Sequence, residues 1–252
     1  MDDIDVMLTA RGVEKQFGQV VALTNANLEL RRGEVHAIVG DNGAGKSTLI
    51  KIISGVYRQD GGTLELEGRE LVVSTPREAR ELGIETVYQD LALADHLDAA
   101  SNLFLGREAL LPPPLKWFGF LDKKEMRERA GDEIRHLKVG VPSVTQPVLS
   151  FSGGQRQAIA VARAIAWGRR IVILDEPTAA LGVRESGMVL ELIREIREHG
   201  VSVIMVSHNL PEVFAVADRI TVLRLGRTIS SLVTADSSVE AVVGMMTGAV
   251  AA

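Results

Sequence analysis

Gly40-Asp41-Asn42-Gly43-Ala44-Gly45-Lys46-Ser47 fits the pattern G-x-x-x-x-G-K-[ST], and its neighbours supply the setting that the pattern needs. Val35-His36-Ala37-Ile38-Val39 before it reads as a buried strand, and residues 46–54 after it read as a helix. The residue types follow from the chemistry. Glycines let backbone N–H groups close around a triphosphate, and the helix N-terminus adds partial positive charge. Lys46 neutralises the β- and γ-phosphates, while Ser47, followed by Thr48, offers a hydroxyl to Mg²⁺.

Four more short Val/Ile-rich runs recur with helical stretches between them: residues 84–88, 171–174, 201–206 and 220–223. Runs of this kind suit strands covered on both faces, so the fold class is α/β with a mostly parallel sheet. Asp175-Glu176 ends one run. A carboxylate there is expensive to bury unpaired, which makes Mg²⁺ a partner for Asp175 and leaves Glu176 to orient or deprotonate a water. Gln89 and His208 follow two other runs. Each of these polar elements therefore falls at the carboxyl end of a strand, the edge where open α/β sheets bind ligands.

Helix punctuation agrees with this reading. Thr75-Pro76-Arg77-Glu78 offers a capping box that Gly83 closes, Asp122 opens a polar helix, and Asn209 to Glu212 open another. Residues 6–34 and 60–73 alternate apolar and polar around Gly-rich turns, which predicts a small antiparallel sheet packed on the main one. From Leu91 to Ser150 no buried strand appears, and Pro112-Pro113-Pro114, Pro142 and Pro147 interrupt a helical pattern; this predicts an inserted helical subdomain. Its Trp117, Phe118 and Phe120 are expected to form local core. Phe151-Ser152-Gly153-Gly154-Gln155 opens a second helix on glycines. Ser152 and Gln155 can form a capping box, but paired glycines in a first turn imply that something must approach closely, as at a second anion site.

Composition excludes several alternatives. The chain has 252 residues, no cysteine, and 33 acidic against 28 basic side chains. There is no thiol nucleophile and no cysteine zinc site, and the mild acidity disfavours a surface built for nucleic acid. The acidic start, Asp2-Asp3-Ile4-Asp5, is unlike a signal peptide, and no window reaches the ~18 apolar residues of a spanning helix. A cytoplasmic setting is expected.

The ordered set of phosphate loop, Gln89, FSGGQ, ILDEP and His208 resembles the nucleotide-binding subunit of ATP-binding cassette (ABC) transporters across essentially the whole chain. The resemblance implies one P-loop NTPase domain, with residues 1–90 and 156–252 as core and 91–155 as the helical subdomain. It implies Mg-ATP held by the phosphate loop, with Ser47, Asp175 and Gln89 at the metal and Glu176, His208 and Gln89 in catalysis. It also implies that Ser152, Gly153, Gly154 and Gln155 act across a head-to-tail dimer, and that Phe17 stacks on adenine, although by its residue type alone Phe17 could equally be core. Val87-Tyr88-Gln89, residues 101–108 and residues 177–183 look like ATPase subunits of ribose, xylose and fructose importers. That likeness implies permease partners, indirectly a solute-binding receptor, and work at the cytoplasmic face of the inner membrane. Gly182 departs from the Asp that many members carry, which bears on communication between the two sites. The rival readings are a soluble ABC-type ATPase uncoupled from transport and an importer ATPase for another solute. A P-loop GTPase would need an Asn-Lys-x-Asp segment, which is missing.

Overall fold

The computed structural model describes residues 5–136, 141–179 and 181–249. All five apolar runs form strands: β3 (Val35–Val39), β6 (Ile84–Val87), β7 (Ile171–Asp175), β8 (Ser202–Val206) and β9 (Arg219–Arg224). They pair in parallel in the order β9-β3-β8-β7-β6. Every residue of β3, β7 and β8 is buried, as uninterrupted apolar runs demand of strands covered on both faces.

The antiparallel strands are β1 (Val6–Phe17), β2 (Val20–Arg31), β4 (Gly61–Leu66) and β5 (Arg69–Glu70). They pack on the main sheet, sharing one apolar core with Ile38, Ile173, Ile204 and Val206 of β3, β7 and β8, and they are also joined to it at one edge, the strand order running β5-β4-β1-β2-β10-β9-β3-β8-β7-β6. The join is β10 (Arg227–Val233), antiparallel to β9 and parallel to β2. Side chains from β1, β2 and β4 share one apolar core with Leu49, Ile50, Ile52 and Ile53 of α1 (Lys46–Ile53).

The remaining caps form largely as the sequence indicates. Thr75 Oγ1 accepts from Glu78 N at the start of α2 (Pro76–Glu81), while the Glu78 carboxylate reaches back to Ser74 N; Gly83 sits at φ 85° just beyond. Asn209 precedes the helix Leu210–Val216 but makes no side-chain cap bond.

Contacts divide the chain into two compact units. The first holds residues 1–89, 168–177 and 193–252, and the second 90–167 and 178–192. The second unit thus extends past residue 155 to Trp167 and takes in residues 178–192. The reason is that α5 (Gly153–Trp167) is one unbroken helix, and its Ile159 and Trp167, together with Phe151 just before it, pack on α3 (Ala99–Leu103) and α4 (Lys123–His136). Trp167 donates its indole N–H to Leu103 O at 2.8 Å and meets Phe104 edge to face. The aromatic trio overturns its expectation: Trp117, Phe118 and Phe120 are 78%, 75% and 54% exposed. They cap a hairpin-like arm, closed by Leu111 N to Phe120 O and Asp122 N to Ala109 O, that is too narrow to enclose a core of its own.

Candidate nucleotide site

Register gathers the polar residues. In β3, β8, β7 and β6, Ile38 stands opposite Val206, Val206 opposite Asp175, and Leu174 opposite Val87. Gly40, His208, Glu176 and Gln89 each follow within two residues, so they line one edge of the sheet in that order.

The phosphate loop is glycine-rich for reasons that its surroundings supply. A Cβ on Gly40 would stand 2.2 Å from Leu223 O, and one on Gly45 2.5 Å from Leu23 Cδ2. Gly45 also adopts φ 103° as the cap residue of α1. β2 and β9 thus press on the loop from behind, and Asp41, Asn42 and Gly43 are exposed. Lys46 is buried, and its Nζ donates to Gly40 O at 2.7 Å and Asp41 O at 3.1 Å. The ammonium is therefore held over the loop by its own carbonyls, where an anion can displace them.

Asp175 is also buried. Desolvation, with the neighbouring Glu176 carboxylate second, raises its pKa, while Lys51, Lys46 and a hydrogen bond from Ser47 oppose the rise. Glu176 turns sharply from the strand at φ 53°, rare for a non-glycine residue, with its N–H bonded to Val206 O at 2.9 Å. That turn aims its carboxylate at His208 Nδ1, 3.0 and 2.9 Å from the two oxygens. Glu176 is mostly covered and His208 open.

Phe17, at the end of β1, is 41% exposed, which removes the core reading. It meets Tyr57 edge to face at 5.0 Å with Lys15 5.4 Å from its ring centroid. Gln89 is exposed; the preceding Tyr88 hydrogen bonds Ser54 at 2.9 Å. Tyr57 beside Phe17 and Lys51 beside Asp175 belong to no sequence motif. Lys51 lies one helical turn beyond Ser47, a spacing that could have suggested it.

In the second unit, Ser152 and Gln155 form the capping box in full: Gln155 N donates to Ser152 Oγ at 3.3 Å, and Ser152 N donates to Gln155 Oε1 at 3.0 Å. Ser152 and Gly153 are exposed. Gly154 has an internal reason to be glycine, because a Cβ there would stand 2.4 Å from Glu185 Cγ; at Gly153 the nearest atom would be Leu181 Cδ2 at 3.6 Å. The same Glu185 approaches Gly182, whose Cβ would stand 2.6 Å from Oε2. Ala180 lies outside the described residues.

The oxygen set suits Mg²⁺. Asp175 carries a buried carboxylate on which Ser47, Lys46 and Lys51 act, and Mg²⁺ prefers one or two such hard ligands completed by phosphate and water to an all-protein cage.

A β3-loop-α1 phosphate cradle with acids and a histidine along the same sheet edge defines a P-loop nucleotide hydrolase. The chain belongs to the ABC transporter family, whose model matches residues 23–179, and it is an ATPase of that family. It is 49% identical to the fructose import ATP-binding protein FrcA of Rhizobium meliloti over 96% of this chain and 94% of that protein. The xylose/arabinose import ATP-binding protein XylG of Sulfolobus acidocaldarius is 44% identical over the same shares. The ribose import ATP-binding protein RbsA 1 of Rubrobacter xylanophilus is 41% identical, but this chain spans only 47% of its length. Among solved structures, the ADP conformation of MJ1267, an ATP-binding cassette of an ABC transporter, superposes with a TM-score of 0.81 at 24% identity over 96% of this chain and 95% of that one. The dimeric, post-hydrolysis cassette MJ0796 bound to ADP and Pi superposes with a TM-score of 0.75 at 27% identity over 90% and 99%.

Proposed function

We propose that this chain is the ATP-hydrolysing subunit that powers import of a monosaccharide through a separate membrane permease at the cytoplasmic face. The observation that carries the reading is the near full-length match to single-cassette fructose and xylose/arabinose import relatives. No helix among the described residues is long and apolar enough to cross a membrane.

The residues then take these roles. Loop N–H groups and Lys46 grip the β- and γ-phosphates, and Phe17 covers the adenine. Ser47, Asp175 and Gln89 hold Mg²⁺, which when bound neutralises phosphate charge. Glu176 takes a proton from the attacking water as its oxygen bonds to the γ-phosphorus and the bond to the ADP oxygen breaks. His208 holds the Glu176 carboxylate in position through both oxygens. Ser152, Gly153, Gly154 and Gln155 of a second copy close the nucleotide from the opposite side, and ATP favours the closed pair over the open one.

The test is steady-state ATP turnover of the purified chain, alone and with the permease encoded beside it, together with uptake of labelled fructose, xylose and ribose into cells lacking it. Turnover stimulated by the permease, with loss of uptake of one sugar, is expected. Turnover indifferent to any membrane partner would favour the soluble ATPase.

A further inference from the structure

The arm from Leu110 to Leu121, in the second unit, is where residue type and burial disagree most. Its Trp117, Phe118 and Phe120 are the most exposed aromatics among the described residues, and Leu110, Leu115 and Leu121 beside them are exposed as well. Single apolar side chains on a surface need no explanation, but six within twelve consecutive residues form a patch of the kind that marks an interaction surface.

The backbone of the arm suits an apolar surrounding. Leu111 N donates to Phe120 O at 2.9 Å, Trp117 N to Pro114 O at 3.1 Å, Gly119 N to Lys116 O at 3.1 Å and Asp122 N to Ala109 O at 2.8 Å. Pro112, Pro113 and Pro114 carry no N–H at all. A tip with so few free main-chain donors can enter a water-poor layer at little cost.

Charge selects the partner. Residues 109–124 hold Lys116, Lys123 and Lys124 against a single acid, Asp122, within a chain of net charge −5. Lys116 and Lys123 pair with no carboxylate among the described residues, and Lys124 stands 4.0 Å from Glu128. Asp122 is committed to α4, its Oδ1 accepting from Glu125 N at 2.9 Å. Bare aromatics thus share the arm with a local positive charge, which complements an anionic partner. Two features favour lipid over protein. Lysines are depleted in protein interfaces, and twelve residues fall short of the roughly 20–30 a side that a stable one uses. Trp beside Lys is instead the composition of a bilayer interface, where the indole sits at headgroup level and ammonium groups meet anionic headgroups. We propose that the arm is a membrane-contact site, with Trp117, Phe118 and Phe120 inserted among the headgroups of an anionic bilayer and Lys116, Lys123 and Lys124 paired with lipid phosphates. The proposal goes beyond the import reading and does not depend on it, since contact with lipid needs no permease.

Co-sedimentation of the whole chain with vesicles of phosphatidylcholine alone, and of phosphatidylcholine mixed with phosphatidylglycerol, tests the proposal with no other protein present. The mixed vesicles should bind the chain about tenfold or more tighter, the difference shrinking as salt rises toward about 0.5 M. The chain has two tryptophans, and Trp167 is anchored by its bond to Leu103 O. Binding should therefore shift the emission to the blue, with quenching by brominated lipid, only while Trp117 is present. Trp117→Ser combined with Phe118→Ser should lower vesicle affinity about tenfold or more at an unchanged unfolding temperature, because neither ring belongs to the core of this unit. Lys116→Glu combined with Lys123→Glu should remove the preference for phosphatidylglycerol. Equal binding to both vesicles, binding to neither, or vesicle binding that survives the loss of Trp117 and Phe118 would each overturn the proposal. So would a chain that ignores lipid alone but loses co-purification with the permease in the Trp117→Ser, Phe118→Ser variant, since the arm would then dock on protein. Sugar uptake is not the readout, so failure here leaves the import reading standing.

Discussion

At the residue scale, the decisive pair is Glu176 and His208. Both were legible as strand-end polar residues, but their mutual hydrogen bonding was not, because it depends on the positive φ at Glu176 that turns the carboxylate toward β8. Glu176→Gln keeps size and hydrogen bonding while removing the basic oxygen. ATP affinity should be retained while turnover falls by about 10²–10⁴-fold, read by phosphate release. Lys46→Ala removes a charge that an incoming phosphate would pair with, and nucleotide affinity measured by fluorescence titration should fall about 10–100-fold. Asp175 yields a prediction about pH. Its pKa is raised in the folded chain, so the protonated form is favoured there. Its contribution to stability is fully present below the unfolded value and is lost as pH rises through the folded one. Asp175→Asn should therefore unfold a few degrees higher than the parent at neutral pH without nucleotide, the gap closing as pH falls below about 4. The same variant should lose turnover.

At the scale of elements, the strands that continuous apolar runs mark were all readable, and so were the helices opened by Thr75, Asp122 and Ser152. What the sequence concealed was β10. Arg-Thr-Ile-Ser-Ser-Leu-Val is neither a continuous apolar run nor a clean alternation, and no sequence rule announces that such a strand will bridge two sheets. The aromatic arm misled for a related reason: residue type signals burial on average, whereas the partner surface that would bury Trp117 does not exist in a narrow hairpin. The start of α5 shows how two reasons can sit in adjacent glycines. Gly154→Ala would drive a methyl group into Glu185 and should destabilise the chain by about 1–3 kcal/mol in denaturant unfolding. Gly153→Ala meets only ordinary contact and should be within about 0.5 kcal/mol of neutral. Any loss of turnover in Gly153→Ala would then report on something outside the chain rather than on its folding.

At the scale of the whole molecule, the question is where the exposed Ser152 and Gly153 find their counterpart. The capping box already satisfies the backbone of that turn, so folding alone does not require a ligand there. The open Ser152 and Gly153 nevertheless present a helix N-terminus, the positive end of a dipole, to whatever approaches. If a second copy supplies the approaching phosphate, blocking hydrolysis should trap the pair, since ATP then persists and the interface has no route to release. Glu176→Gln at micromolar concentration with Mg-ATP should run in light-scattering chromatography at about twice the 27.2 kDa chain mass, and return to a single chain with ADP. Adding Ser152→Arg to that variant puts a long cation into the turn without touching the phosphate loop, so it should keep nucleotide affinity and lose the dimer. A dimer that survives Ser152→Arg would mean that the two copies meet elsewhere, and the FSGGQ turn would be left with capping as its whole role.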